Sequence, residues 1–255
     1  MKIISFITEK GGTGKTTGAR EVAGVLSLVH NKKVLLIDCD FQQNLTESLI
    51  EADQEKNIFR AIKEKDLKGN IIPIERDGKH ILDLIPASLN LKDLEYKKDS
   101  VDMEMIYLDL KKGLEQLQEY DYIIIDCRPD MRAIERAVLK CSNYVITPVE
   151  AHLFSFRGFE LLENFIQALK KDLNTPFIHF GYINRLQNDK EILEATEDVR
   201  NSFDNILDTP IRDNLKIFKA SQTGHFIIEY SSTSNGAKDF KALTKELLIN
   251  GNKNK

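Results

Sequence analysis

The run Gly11-Gly12-Thr13-Gly14-Lys15-Thr16-Thr17 contains the residue types needed to hold a nucleotide by its phosphates. Glycines let backbone N–H groups turn inward around phosphate oxygens, and a helix start behind them adds positive potential. Lys15 would reach the β- and γ-phosphates, the Thr16 hydroxyl would ligate magnesium, and Thr17 is placed to touch the α-phosphate. An apolar run over residues 3–8 leads into this segment and a helical pattern over 16–29 leaves it, which is the strand–loop–helix context that a phosphate loop requires. The usual spacing asks for glycine at position 9; Glu9 stands there instead, and Lys10 directly precedes the glycine pair. The expected ligands are ATP and Mg2+.

Two carboxylate-ended apolar runs follow. Residues 34–37 close on Asp38-Cys39-Asp40, and Tyr122-Ile123-Ile124-Ile125 closes on Asp126. Phosphoryl transfer needs little covalent help from a protein, so a carboxylate that orients water and a second that holds magnesium would suffice. Asp126 has the order and distance after the loop expected of a carboxylate that holds magnesium opposite Thr16.

The motif Lys10-Gly11-Gly12-Thr13-Gly14-Lys15-Thr16-Thr17 resembles the deviant phosphate loop of the ParA/MinD family of ATPases. That resemblance implies that Lys10 crosses a sandwich dimer to contact the nucleotide of the other subunit, so Lys10, Lys15 and Asp40 form the implied catalytic set. Asp38 through Thr46 is similar to the family's switch segment, with Phe41 in place of proline, which leaves this loop less rigid. By the same resemblance Asp40 orients the attacking water and Asp38 lies near the magnesium, making Thr16, Asp38 and Asp126 the implied metal set. The family's DxPP appears as Asp126-Cys127-Arg128-Pro129, with only the second proline kept. Thr147-Pro148-Val149-Glu150, Tyr182-Ile183-Asn184-Arg185 and Thr209-Pro210-Ile211-Arg212-Asp213 follow in the family's order, with Asn184 implied as an adenine contact and Pro210 as a further nucleotide contact.

Elements that could position these groups alternate along the chain. Residues 3–8, 34–37, 122–125, 144–147 and 177–183 are short apolar runs suited to strands buried on both faces, and helical patterns cover 16–29, 103–118, 132–140, 156–171 and 190–203. This alternation predicts an α/β fold, a doubly wound and mostly parallel sheet with helices on both faces. Residues 70–74 and 80–85 are expected as a short hairpin or as a side-by-side insertion. With no linker of Pro, Ser or Gly, residues 1–250 are expected to form a single domain, and 251–255 a frayed polar tail.

Composition narrows the function classes. At 255 residues with 42% hydrophobic residues the chain can bury a sizeable core, and its net charge of -4 argues mildly against a dedicated nucleic-acid protein without excluding a local basic face. Cys39, Cys127 and Cys141 are odd in number and lack CxxC spacing, which disfavours disulfides, zinc and a bridging cluster. No apolar run approaches the ~20 residues of a membrane span, and the tail 250–255 has no apolar residue with which to insert into a membrane surface. The expected location is the cytoplasm, on the nucleoid when ATP is bound. Within the family, the lack of an N-terminal helix-turn-helix extension resembles the small partition ATPases. That implies an ATP-bound homodimer, DNA binding without sequence preference, and a ParB-like or centromere-binding activator, with no membrane partner. The alternative is a MinD-like, cargo-positioning or conjugation-linked ATPase not acting on DNA. Candidate DNA residues are Arg212, Lys216, Lys219, Lys238, Lys241 and Lys245.

Overall fold

The computed structural model describes residues 1–8, 10–52, 54–95, 100–130, 132–150 and 156–253. Its strands are β1 (Lys2–Phe6), β2 (Val34–Asp38), β3 (Ile72–Arg76), β4 (Lys79–Ile85), β5 (Tyr122–Asp126), β6 (Tyr144–Glu150) and β7 (Ile178–Asn184). The helices are α1 (Lys15–Leu28), α2 (Asn44–Glu47), α3 (Ile58–Glu64), α4 (Lys92–Glu95), α5 (Ser100–Glu115) and α6 (Ala133–Cys141), followed by α7 (Phe156–Leu173), α8 (Lys190–Ser202), α9 (Leu215–Gln222), α10 (Ile227–Tyr230) and α11 (Asn235–Lys253).

All seven strands join one sheet in the order β3-β4-β2-β5-β1-β6-β7. Every pairing is parallel except β3 with β4. The alternation of side chains along each strand divides two cores. Leu35, Ile37, Ile123 and Ile125 face the core formed with α3, α5, α6 and α7, whereas Val34, Leu36 and Ile124 face the one formed with α1, α10 and α11. Strands covered on both sides have no solvent face, which explains their unbroken apolar runs.

Residues 72–85 form the hairpin, one of the two arrangements expected. Asp77 (φ 50°) and Gly78 (φ 70°) make its turn with both central residues left-handed, matching the twist of the flanking strands. The second strand of the hairpin, β4, then pairs parallel to β2, which extends the main sheet.

The C-terminal segment differs from expectation. Instead of fraying after residue 250, α11 continues through Lys253; Asn254 and Lys255 lie outside the described residues. The reason is tertiary: the Tyr144 hydroxyl donates to the Gly251 carbonyl at 2.6 Å, and Gly251 is buried against the tyrosine ring. Polarity alone predicts fraying, but this anchor supplies the missing contact.

What the fold does for function follows from register. Asp126 at the end of β5 lies opposite Phe6 of β1 on one side and Asp38 of β2 on the other. The carboxyl ends of three adjacent strands therefore converge on one edge. This is where open α/β sheets place their ligands, outside the strand ends at a change in strand order.

Candidate phosphate site

Beyond this edge opens a cavity of about 770 Å³. Residues 10–17 line one side of it, and Asp40, Phe41, Arg128 and Arg185 line others. Glu9 lies outside the described residues. Gly12 (φ 82°) and Gly14 (φ 93°) adopt left-handed backbone, which a side chain would strain. At Gly14 there is a second restriction, because an added Cβ would lie 2.2 Å from the Asn184 amide nitrogen. Gly14 caps α1, so the loop runs directly into the helix N-terminus and its unpaired N–H groups.

Lys15 is the first residue of α1 and is buried, with its Nζ 2.8 Å from Asp126 Oδ1. Burial by itself would lower the ammonium's proton affinity, but Asp126, joined by Cys127 and Asp40, outweighs it and holds the lysine above its usual value. Lys15 is therefore a full cation at the floor of the cavity. Asp126 is pushed up by burial and held down mainly by Lys15. Its other oxygen, Oδ2, is buried without a hydrogen-bond partner, as is the hydroxyl of Thr13. Asp126, with Oδ2 buried and the Thr16 hydroxyl as a hydrogen-bonding neighbour, offers together with that hydroxyl the hard oxygen ligands that magnesium prefers, so these residues fit the ion.

The two carboxylates that end the second strand part company. Asp38 is fully buried; its Oδ1 accepts the Asp40 N–H at 3.0 Å, and its Oδ2 accepts the Thr46 N–H at 2.9 Å and hydroxyl at 2.7 Å. Burial and then the nearby Asp126 push its carboxyl up to about 7, against those hydrogen bonds. Asp38 lies beside Asp126 and, like it, is buried behind the residues that line the cavity. Its acceptors are occupied in tying the two ends of the switch segment together. Asp40 does line the cavity, and its Oδ1 accepts from the Gln42 N–H at 3.0 Å.

Asn184 and Pro210 are placed differently from the loop residues that line the cavity. The Asn184 amide donates to the Thr13 carbonyl at 2.7 Å, beneath the phosphate loop, and neither residue lines the cavity. Pro210 sits where the chain passes the end of β7, next to Ile211, whose N–H bonds the Ile183 carbonyl at 2.8 Å. Asn184 thus braces the phosphate loop through the Thr13 carbonyl, a role separate from the adenine contact that the resemblance implies. Asn184→Ala is expected to weaken ATP, GTP and inorganic triphosphate alike by about fivefold, the worth of one ordinary hydrogen bond. Competition titrations would check this; a loss confined to adenine nucleotides would instead support the adenine contact.

Several lining residues were given no role by the sequence. Arg20 is fully buried, paired with Glu21, and reaches Ser48 Oγ at 3.1 Å and the His225 carbonyl at 2.6 Å, linking α1 to the switch segment and to the loop before α10. Arg185 meets Glu150 at 2.6 Å on the rim, so the Glu150 and Asn184-Arg185 motifs converge there. Ser221 and Gln222 bring the end of α9 to the same rim.

A family model described as an AAA domain matches residues 1–179. The sporulation initiation inhibitor protein Soj of Bacillus subtilis is 33% identical over 98% of this chain and 99% of its own. The chain belongs to the ParA/MinD family of P-loop ATPases. The chromosome-partitioning ATPase Soj of Treponema pallidum is 30% identical over 97% of each chain. Among solved structures, a Borrelia burgdorferi B31 protein assigned to plasmid partition, bound to AMPPNP, superposes with a TM-score of 0.81 at 27% identity, over 98% of this chain and 99% of that one. Against these ParA/MinD relatives the chain is a full-length match, and its phosphate loop is the family's deviant form.

Proposed function

We propose that this ParA-type ATPase drives DNA segregation as a Mg-ATP-gated dimer. The observation that carries the reading is the cavity wall: the whole loop 10–17 and Asp40 line one cavity, with Asp126 paired to Lys15. Lys15 would exchange Asp126 for the β- and γ-phosphates, and Thr16 and Asp126 would then hold magnesium. When bound, that ion spreads the charge developing on the phosphate oxygens. Asp40 would orient the attacking water. Lys10 is exposed and lines the cavity; among the described residues its backbone N–H alone is held, by Thr8 Oγ1 at 3.3 Å, and its side chain would reach a second subunit. Next to that cavity, α9 presents Leu215 and Phe218, 65% and 60% exposed, an apolar face suited to burial against the second copy.

For DNA, the basic residues sort by what already holds them. Arg212 makes a two-pronged pair with Asp239, at 2.5 Å and 2.9 Å, so its charge is largely spent and it leaves the candidate set. Lys238 and Lys245 are exposed on α11, with Lys241 half-buried between them, while Phe240, Leu243 and Leu247 face the core. Their spacing places all three lysines along one helix face. A dimer doubles this face, and linking the two engagements raises avidity without any new type of contact. The DNA-binding form is thus the ATP-bound one, and a ParB-like activator would reset it by stimulating hydrolysis.

The test is co-sedimentation with random duplex DNA in Mg-ATP, in Mg-ADP and without nucleotide. Binding is expected only with Mg-ATP and is expected to disappear in Lys10→Ala, which should still bind ATP as a monomer. Each phosphate neutralised contributes about -0.9 to the slope of log K against log salt. Lys238→Ala with Lys245→Ala in a dimer should therefore flatten that slope by about 3 to 4 while ATP binding is kept. Equal binding without ATP, or ATP-dependent capture by acidic liposomes instead, would overturn the segregation reading.

A further inference from the structure

The geometry points to Arg128 as a positioning residue for ATP hydrolysis, acting on Asp40 from a platform formed by Phe41. This rests on the reading of Asp40 as the group that orients water. Phe41 and Arg128 are the two positions at which this chain lacks a proline of the pattern it resembles, and the fold brings them into contact. The Arg128 guanidinium lies over the Phe41 ring, 4.0 Å from its centroid, and the Lys92 ammonium lies 4.8 Å from the same centroid. Cations over an aromatic face are attracted by its quadrupole, most strongly where water is excluded. Arg128 is 8% exposed and Phe41 half-buried.

From this platform the guanidinium reaches both ways along the cavity wall. Its Nε lies 3.8 Å from Asp40 Oδ1, the oxygen that also accepts the Gln42 N–H, and its Nη2 donates to Asp130 Oδ2 at 3.3 Å. Asp40, Phe41 and Arg128 all line the cavity. A buried carboxylate with one oxygen held by a backbone N–H and a fixed cation has a restricted orientation, and among the described residues its second oxygen is left for a water molecule. Proline would restrict this loop covalently, through its fixed φ. Here stacking and charge restrict it instead, and the restraint includes a cation aimed at the group that orients water.

The experiment measures single-turnover ATP hydrolysis and ATP affinity for Arg128→Gln, Arg128→Lys, Phe41→Leu, Phe41→Tyr and Asp40→Ala, alone and combined. Misplacing a reacting group by about 1 Å costs on the order of 100-fold, so Arg128→Gln and Phe41→Leu should each slow hydrolysis by about 10- to 100-fold with ATP affinity kept within about threefold. Phe41→Tyr keeps the aromatic face and should retain most of the rate. Residues acting through one contact are non-additive, so the Arg128→Gln/Phe41→Leu double variant should be no slower than the worse single one. On the Asp40→Ala background, Arg128→Gln should cause no further loss. A further loss there would mean that Arg128 acts independently of Asp40, and would overturn the proposal. So would a normal rate in both Arg128→Gln and Phe41→Leu. If Asp40→Ala itself hydrolyses normally, it is the reading of Asp40 that falls. Should Arg128→Gln fail to fold, Phe41→Leu against Phe41→Tyr decides the same question, because an unchanged rate in Phe41→Leu overturns it.

Discussion

Lys15→Ala is expected to abolish tight ATP binding, with a loss of roughly 100-fold or more. The estimate follows from two charge-assisted hydrogen bonds to phosphate, each worth about 1.5–3 kcal/mol, with tenfold in affinity per 1.4 kcal/mol. Lys10 is exposed and its side chain is directed to a partner subunit in the proposed dimer, so within one subunit it does not replace the buried cation. The structure adds an effect on the free protein. Removing Lys15 strips Asp126 of its 2.8 Å ion partner at a site where both side chains are almost fully buried, a loss of about 3–5 kcal/mol for comparable buried pairs. Asp126 and Asp38 are both carboxyls whose folded proton affinity is raised, so the folded state binds more protons than the unfolded one. Their contribution to stability is present at low pH and is lost as pH rises, for Asp38 from about 4 towards about 7. The lysine offsets that loss in the wild type. The Lys15→Ala protein should therefore melt well below the wild type at pH 8 and much closer to it at pH 5. Isothermal titration with ATP and thermal melts at the two pH values measure both effects; near-normal affinity would remove Lys15 from the phosphate site.

Asp40→Ala is expected to bind Mg-ATP with affinity close to wild type yet to hydrolyse it about 100- to 10,000-fold more slowly, the range for losing a group that positions or accepts a proton in the transition state. Affinity should survive because Asp40 belongs to the switch segment and not to the phosphate loop, and the loop is braced independently by Asn184. What the mutation removes is the carboxylate facing the cavity, while Asp38 still closes the switch segment through Thr46. The ATP-bound dimer should accumulate and remain on DNA, visible as a persistent high-mass species in sedimentation. Rapid-quench measurement of a single turnover isolates the chemical step. Asp40→Asn, which keeps an acceptor for the Gln42 N–H at 3.0 Å, should fold as well as wild type and remain slow. Turnover within a few-fold of wild type would show that some other group orients the water.

The pair Asp38 and Asp40 shows where sequence reasoning stops. Both close one buried strand, separated only by Cys39, and nothing in their spacing says which faces ATP. The return of the chain at Thr46 decides it, by closing on Asp38 and leaving Asp40 towards the cavity. Asn184 is similar: its place at a strand end was legible, but whether its amide points outward or under the loop depends on the approach of Thr13, which follows β1 at the same edge of the sheet. Arg212 counts as a cation in any charge inventory until α11 sets Asp239 against it. Phe41 and Arg128 look like independent departures from a pattern until the sheet brings them into contact.

By itself the sequence determined the phosphate chemistry and the parallel sheet. Both are written in local terms: glycines that alone tolerate the left-handed backbone at positions 12 and 14, a lysine and hydroxyl at a helix start, and apolar runs too continuous for a strand with a wet face. Only the tertiary structure decided the partners. It paired Lys15 with Asp126, folded 72–85 into a hairpin at the sheet edge, anchored Gly251 on Tyr144 and stacked Arg128 on Phe41. The physical reason is range. Backbone preference and burial pattern act over a few residues, whereas a hydrogen bond or ion pair between distant residues exists only once the sheet register has brought their strand ends together.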